Sequence, residues 1–223
     1  MRQEKLTVLP ANEQEEIGTS ELPERKKSNF FNPIREIIQF ILIAALVVVP
    51  IRWFVAQPFI VSGASMEETF QSGEYLIVDQ LTYRFNDPKR GDIVVFRYPR
   101  DPSKFFIKRV IGLPGDRVEI SGTTITIYND EYRSGMVLDE HYVKSMDPVL
   151  SPISESLSDR EYYVLGDNRD QSSDSRNWGM LQEENIMGRA LLRLFPIQRI
   201  DLFPGKIDLD KNEAKEALIY KPI

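Results

Sequence analysis

The sequence predicts a mainly β domain that follows a single N-terminal transmembrane helix. Residues 37–55 form one long apolar stretch, and the chain beyond it alternates short runs of Val, Ile, Tyr and Phe with turn signals. At 223 residues and 42% hydrophobic content, the chain is long enough for one anchor and one domain with a sizeable core. The predicted segments are a disordered tail (1–29), a transmembrane anchor (30–57), a β domain (58–206) with a smaller inserted lobe (121–160), and a C-terminal tail (207–223).

The apolar stretch has the length of a transmembrane helix. Residues 1–29 are rich in Glu, Gln, Lys and Ser and cannot bury enough surface to fold alone. The stretch that follows carries one Gln and one Arg, and at 1.5 Å per residue it roughly spans a hydrocarbon core of about 30 Å. A cleavable signal peptide and a buried helix of a soluble protein are weaker interpretations, because no small-x-small site closes the stretch and no polar face recurs along it.

The flanking charges predict the orientation of this helix. Arg25, Lys26, Lys27 and Arg35 precede or begin it, whereas Arg52 alone lies near its far end. The positive-inside rule therefore puts the N-terminus in the cytoplasm and the β domain outside it. We expect Trp53, Phe54 and Phe59 to contact lipid headgroups at the outer surface.

The predicted strands are separated by turns. The turn signals include "LPGD", "SGT", "GDNRD" and "RGD", and the RGD at 90–92 is interpreted as a turn before a strand rather than as an adhesion motif. Residues 145–156, "SMDPVLSPISES", resemble a loop. The predicted strands are "YLIVDQ", "DIVVFRY", "FFIKRVI", "DRVEI", "TTITIY", "YYVLG" and "ALLRLF".

Composition excludes several classes of function. A net charge of −6 disfavours nucleic acid as a partner, since binding there depends on clustered Lys and Arg. With no cysteine and a single histidine, His141, the chain has no disulfide framework, no thiolate zinc site and only one candidate for a Ser-His pair. We expect neither a metal nor a cofactor, and we expect His141 to be a surface residue.

A serine and a lysine form the candidate catalytic pair. Ser65 lies in a turn of small residues soon after the anchor, and Lys108 lies in a strand where period-2 alternation puts Phe106 and Val110 on its own face. Desolvation lowers the pKa of a lysine among apolar side chains, which makes the amine usable as a general base. A Ser-Lys dyad needs no histidine. Taken alone, however, a strand lysine usually points to solvent and a lone serine indicates little.

The polar segment Gly166–Gly179, "GDNRDQSSDSRNWG", is compatible with a solvated turn or a calcium loop. Neither alignment with a calcium-binding loop fits, because starting at Asp167 puts Arg169 and Gln171 at ligand positions. Starting at Asp170 puts Ser175 where that loop requires glycine. Calcium binding is therefore disfavoured.

Four stretches together resemble the type I signal peptidases, also called leader peptidases. "SGASM", "RGDIVVF", "FIKRVIGLPGD" and "GDNRDQSSDSR" occur in the order of that family's motifs, and the resemblance extends from the anchor to Phe195. It implies the family's β fold, with Ser65 as nucleophile, Lys108 as general base and Ser172 as the hydroxyl that orients the lysine. It further implies a supporting ion-pair group of Asp174, Arg176 and Arg109.

The resemblance also implies how substrate is bound. The family cleaves exported preproteins after a small-x-small motif, in shallow apolar pockets. The residues expected to contact the substrate are Phe59, Val61, Met66, Phe106 and Ile107. The oxyanion hole would use the backbone N–H of Ser65.

Two positions depart from the family pattern. Gly63 stands where some members have a serine that serves as a second oxyanion donor, so Ser62 is the nearest substitute. Glu68 stands where the pattern usually has proline. The replacement of proline by glutamate frees the backbone angle φ and adds a charge beside the nucleophile. The departure at Glu68 bears on rate or substrate preference more than on the class of reaction, whereas the departure at Gly63 leaves Ser62 or the backbone alone to complete the oxyanion hole.

The implied function is that of a membrane-bound serine endopeptidase, with signal peptides and the bilayer as partners and the protein-export machinery as a further one. Its location would be the cell membrane, or the thylakoid membrane of a photosynthetic source. Two alternatives stay open. One is an impaired homologue that acts as a membrane-anchored binding or scaffold protein, as Glu68 and Gly63 suggest. The other is a self-cleaving Ser-Lys protease, which the membrane helix disfavours.

Overall fold

The computed structural model describes residues 33–50 and 55–207. The predicted N-terminal tail (1–29), the C-terminal tail from 208 onward, and Arg52, Trp53 and Phe54 lie outside the described residues. The described part is mainly β with one long N-terminal helix, which confirms the predicted fold class.

The helix α1 spans Pro33–Pro50. Its 18 residues have the length and composition of a membrane span, and at 1.5 Å per residue they extend about 27 Å. Its large apolar side chains, from Ile34 to Val49, are exposed. Exposed apolar side chains along the whole helix are what a lipid-facing segment requires.

The larger sheet has eight strands and carries the candidate site. Its order is β1-β2-β11-β3-β4-β9-β10, with β12 paired to β11, and every pairing is antiparallel. The strands are β1 (Ala56–Ile60), β2 (Tyr75–Asp79), β3 (Ile93–Tyr98), β4 (Asp101–Gly112), β9 (Glu161–Leu165), β10 (Leu181–Gln182), β11 (Ile186–Phe195) and β12 (Asp201–Leu202). A short helix, α2 (Ser175–Trp178), lies between β9 and β10.

A second, four-stranded sheet has the order β7-β6-β5-β8. One buried cluster joins it to the larger sheet, with Ile120 and Ile127 from the small sheet and Ile111 and Leu165 from the large one. The small sheet is therefore packed as part of the same β unit. Its strands are β5 (Arg117–Gly122), β6 (Thr124–Tyr128), β7 (Met136–Val137) and β8 (Val149–Ser156).

The loop predicted at residues 145–156 is wrong over most of its length. Val149–Ser156 forms β8, which pairs with β5 along one edge and leaves most of its side chains exposed. A strand with one open edge and little burial needs few apolar residues, so its sequence resembles a loop. All seven strands that the sequence predicts are present, whereas β1 and the two-residue strands β7, β10 and β12 lacked a recognisable pattern.

Candidate active site

The turn that carries Ser65 is fixed by its neighbours. Met66 in the turn and Phe70 just after it are buried in a core cluster with Val61 and Leu76. Within the turn, the N–H of Phe70 donates to the carbonyl of Met66 at 2.7 Å. The carbonyl of Ser65 itself accepts from the N–H of Asn168 at 3.0 Å. The hydroxyl of Ser65 therefore projects from a backbone held in place from two directions.

Strand β4 delivers Lys108 to this hydroxyl. Lys108 Nζ lies 2.7 Å from Ser65 Oγ and 2.9 Å from the carbonyl oxygen of Ile107. Phe106 and Val110 belong to one buried cluster, whereas Ile107 packs against another, as the predicted alternation requires. The structure thus brings together two side chains that stand 43 positions apart in the sequence.

Burial governs the electrostatics of Lys108. The residue is 3% exposed, and within the described part of the chain no carboxylate forms a salt bridge with it. Desolvation lowers the pKa of Lys108 to about 8, although the more distant Asp174 and Asp167 act in the opposite direction. A substantial fraction of the amine is therefore neutral near pH 8, as a general base must be.

Ser172 lies in the site but does not form the bond that the family resemblance implies. Its Oγ is buried and has no hydrogen-bond partner in the described region, and the hydrogen bonds of Lys108 go to Ser65 and Ile107. The backbone at Gly166 packs so closely against Ser172 and Ser65 that no side chain fits at this position. A Cβ at that position would lie 2.3 Å from Ser172 Oγ and 2.4 Å from the carbonyl oxygen of Ser65.

Asp174 and Arg176 form an ion pair with each other. Arg176 Nε and Nη2 donate to the two carboxylate oxygens of Asp174, each at 2.8 Å. Asp174 also caps α2 and accepts from the N–H of Gly166 at 3.2 Å. This fully buried carboxylate thereby ties α2 to the end of β9.

Arg109 belongs to a separate ion pair, which corrects the expected single group. Its Nε and Nη2 donate to Asp167 at 2.8 Å and 2.6 Å, and its Nη1 donates to the carbonyls of Gly91 and Gly205. Alternation along β4 places Arg109 on the face opposite Lys108, and Asp174 is not among its hydrogen-bond partners in the described residues. Asp167 is not predicted from the sequence as part of the site, although its place in the polar segment after β9 is a signal for it.

An apolar cavity of about 470 Å³ opens beside the Ser65–Lys108 pair. Four of the five expected substrate-contacting residues line it, namely Phe59, Val61, Phe106 and Ile107. Met66 does not, because its side chain is 1% exposed and anchors the turn in the core. The cavity has further lining residues that the sequence does not predict, which include Ala64, Leu76, Val95, Lys104, Phe105, Gln171 and Ser173.

The two departures from the family pattern have structural consequences. Ser62 is exposed and lines the cavity next to Gly63, whose φ is +97°. Glu68 has a φ of +79°, a value that proline, fixed near −65°, cannot adopt. The turn after Ser65 therefore has a conformation that requires a residue other than proline.

Neither His141 nor the RGD tripeptide at 90–92 lines the cavity beside the Ser65–Lys108 pair. His141 is exposed beside Asp139. Arg90 is buried and donates to Asp116 at 2.9 Å, so the RGD tripeptide is not presented for adhesion. In the described ranges, no group of three or more His, Asp or Glu side chains is placed to hold a metal ion.

Comparison with known proteins yields consistent matches. The family profile "Signal peptidase, peptidase S26" matches residues 34–195. A probable signal peptidase I-2 of Synechocystis sp. is 38% identical over 208 residues, covering 91% of this chain and 89% of that protein. Signal peptidase I P of Bacillus subtilis subsp. natto is 37% identical over 182 residues, covering 79% and 95%. A crystal structure of a signal peptidase I from Enterococcus faecalis V583 matches with 30% identity and a TM-score of 0.39, over 47% of this chain and 97% of that one.

Proposed function

Because the chain belongs to the signal peptidase family, peptidase S26, we propose that it removes signal peptides from exported preproteins with Ser65 as nucleophile and Lys108 as general base. Membership makes the chain a serine endopeptidase of the signal peptidase I type. One observation carries the assignment of the two residues: Lys108 Nζ lies 2.7 Å from Ser65 Oγ and is buried.

The first half of the reaction acylates Ser65. The neutral amine of Lys108 takes the hydroxyl proton as Ser65 Oγ attacks the scissile carbonyl carbon. The tetrahedral intermediate collapses when the C–N bond breaks. The resulting ammonium of Lys108 gives its proton to the departing amine, which becomes the N-terminus of the mature protein.

The second half restores the enzyme. A water molecule loses a proton to the neutral Lys108 and attacks the acyl carbon, and the C–O bond to Ser65 breaks. The proton returns to Ser65 Oγ, and the signal peptide leaves with a new carboxylate. Each half of the reaction starts with the lysine neutral, which its lowered pKa favours.

Backbone donors would stabilise the oxyanion. In the region the structure describes, the N–H of Ser65 donates to no protein acceptor, so it is available for the developing negative charge. Ser62 is exposed at the edge of the same cavity, two residues from Ala64, and is the nearest side-chain donor on this segment.

The apolar cavity supports cleavage after a small-x-small motif. Aromatic and branched side chains, among them Phe59, Phe106 and Ile107, occupy its walls close to Ser65. Walls of this kind accept alanine-sized side chains by apolar contact and exclude charged ones. We therefore assign the residues before the scissile bond to this cavity.

The helix α1 serves as the membrane anchor in this proposal. Basic residues on its N-terminal side, Arg25 to Lys27 and Arg35, orient that end to the cytoplasm. The β domain would then meet signal peptides on the outer side of the membrane, where the bilayer and the export machinery present the cleavage site. Tethering both reactants to one membrane raises their effective concentration.

The test is cleavage of a preprotein with Ala at both ends of its small-x-small motif by the detergent-solubilised full chain. We expect Ser65→Ala and Lys108→Ala to abolish cleavage, and the exposed control variants Ser121→Ala and Lys89→Ala to retain it. Matched circular dichroism spectra establish that all variants are folded. Cleavage that persists in folded Ser65→Ala would contradict the proposal, and a folded wild type that cuts no such preprotein would favour the scaffold alternative.

A further inference from the structure

A second cavity lies beside the Ser65 turn, separate from the apolar one. Its volume is about 290 Å³, and Gln171 lines both cavities. Its lining is polar throughout, in contrast to the apolar walls around Phe59 and Phe106. The lining residues are Glu67, Glu68, Lys144, Ser145, Asp167, Asn168, Asp170 and Gln171.

The walls of this polar cavity are held in place. Lys144 Nζ donates to Glu68 Oε1 at 3.0 Å, which joins the Ser65 turn to the loop before β8. The same loop is fixed to the segment after β9, because Asp170 accepts from Ser145 Oγ at 3.0 Å and from the N–H of Asp147 at 2.8 Å. The cavity is therefore formed before any substrate binds.

The charge of the lining is negative. Four carboxylates face one cation, Lys144. Asp167 is neutralised by Arg109 and Glu68 by Lys144, whereas Glu67 forms no ion pair in the described part of the chain. Asp170 accepts only from neutral donors. Glu67 and Asp170 thus remain as uncompensated negative charges.

The course of a bound substrate leads to this cavity. If the residues before the scissile bond occupy the apolar cavity, the chain must pass Ser65 and continue on its other side. Glu67 and Glu68 follow Ser65 by two and three residues, and Gln171 lines both cavities. We propose that the polar cavity binds the first residues of the mature protein and that its negative charge selects against acidic side chains there.

This inference rests on the proposed function and adds a preference to it. Neutral or basic residues just after the cleavage site bind without repulsion, whereas Asp or Glu at those positions faces Glu67 and Asp170. The proton from Lys108 leaves the new N-terminus as a neutral amine, and the same field favours the ammonium that this amine forms when it takes a second proton from solvent.

The test uses one preprotein in three forms that differ only at the second and third residues of the mature segment, as Lys-Lys, Gln-Gln or Glu-Glu. With exposed charge pairs contributing about 0.2–1 kcal/mol each, we expect kcat/KM to fall by about 3- to 10-fold from Lys-Lys to Glu-Glu at low salt. The difference in kcat/KM between the Lys-Lys and Glu-Glu substrates should be smaller in high salt, because the charges lie near the surface.

Variants of the enzyme locate the source of the preference. We expect Glu67→Gln/Asp170→Asn to reduce the difference in kcat/KM between the Lys-Lys and Glu-Glu substrates to less than about 2-fold, because both uncompensated charges are removed. The control variant Glu131→Gln/Asp159→Asn removes the same net charge at exposed positions elsewhere and should keep the wild-type difference. The single substitution Glu67→Lys changes an exposed side chain and leaves the hydrogen bonds of Asp170 to the loop before β8 intact. It should therefore narrow or reverse the preference for Lys-Lys over Glu-Glu even if the double variant folds poorly.

The outcomes separate the two proposals. If wild type cleaves all three substrates at the same rate, or if the preference survives both Glu67→Lys and the double variant, the polar cavity does not select by charge, while the signal peptidase function stands. If wild type cleaves none of the three, the proposed function fails and this inference fails with it.

Discussion

Two adjacent cations on β4, Lys108 and Arg109, are both buried, but their surroundings differ completely. Arg109 donates to both oxygens of Asp167 and to two backbone carbonyls, so its charge is matched at every side. Lys108 donates to Ser65 Oγ and to the carbonyl of Ile107, and no carboxylate in the described residues pairs with it. A single strand thus carries one satisfied charge and one unsatisfied charge on opposite faces.

The difference separates stabilisation from chemistry. A paired buried charge resists any change of protonation, because its partner would be left alone in a medium of low dielectric constant. An unpaired buried lysine loses its proton more readily, because the neutral form avoids the cost of desolvation. The fold therefore uses Arg109 to hold the site together and Lys108 to move a proton.

Removing the unpaired cation should have the largest effect, and it should fall on activity. We expect Lys108→Met to lower kcat/KM for a signal-peptide substrate by up to about 10⁴-fold, since general-base catalysis contributes about 10²- to 10⁴-fold. Single-turnover cleavage by the purified variant measures this loss. An activity within 10-fold of wild type would show that another group takes the proton from Ser65.

Removing the paired cation should instead affect stability. We expect Arg109→Met to lower the free energy of unfolding by about 3–5 kcal/mol, because Asp167 would be left as a buried charge without a cation, with only the hydroxyl of Thr69 donating to it. Urea denaturation measures the change, with Arg117→Met as a control whose ion pair to Glu119 is partly exposed. If both variants lose less than 1 kcal/mol, the Arg109–Asp167 pair does not have the assigned role.

The sequence predicted which segments form strands better than it predicted which residues far apart in the chain contact each other. Runs of Val, Ile and Tyr identified seven strands, and motif order singled out Ser65 and Lys108, because both signals are local. The Arg109–Asp167 pair joins positions 58 apart, and Met66 is buried only because the turn folds onto the core. No local pattern in the sequence predicts either contact, nor β8, whose Pro152 and serines are exposed at an open edge.

The unpaired charge of Lys108 should also carry a cost in stability. The folded-state pKa of about 8 lies below that of an exposed lysine, so the cost is present in full below pH 8 and disappears as pH rises through about 10.4. We expect Lys108→Met to raise the free energy of unfolding by about 2–3 kcal/mol at pH 6. Denaturation at several pH values measures this gain. A gain that grows with increasing pH would contradict the account.

The smallest expected effect is at Glu68. Its φ of +79° costs a residue with a Cβ about 1–2 kcal/mol, whereas glycine adopts it freely. Glu68→Gly should therefore raise the free energy of unfolding by about 1 kcal/mol, after the loss of its exposed ion pair with Lys144. Glu68→Pro, which restores the family pattern, should destabilise the protein, and thermal denaturation of both variants distinguishes them. Equal stability of the two would rule out this backbone conformation.

The pH dependence of kcat/KM tests the role of Lys108 most directly. The substrate should have no side chain that titrates between pH 6 and pH 10. We then expect kcat/KM to rise with pH through a single pKa of about 8, because only the neutral amine accepts the proton of Ser65. A rise centred near 10.4, the value of an exposed lysine, or a profile without any rise would show that Lys108 is not the buried base described here.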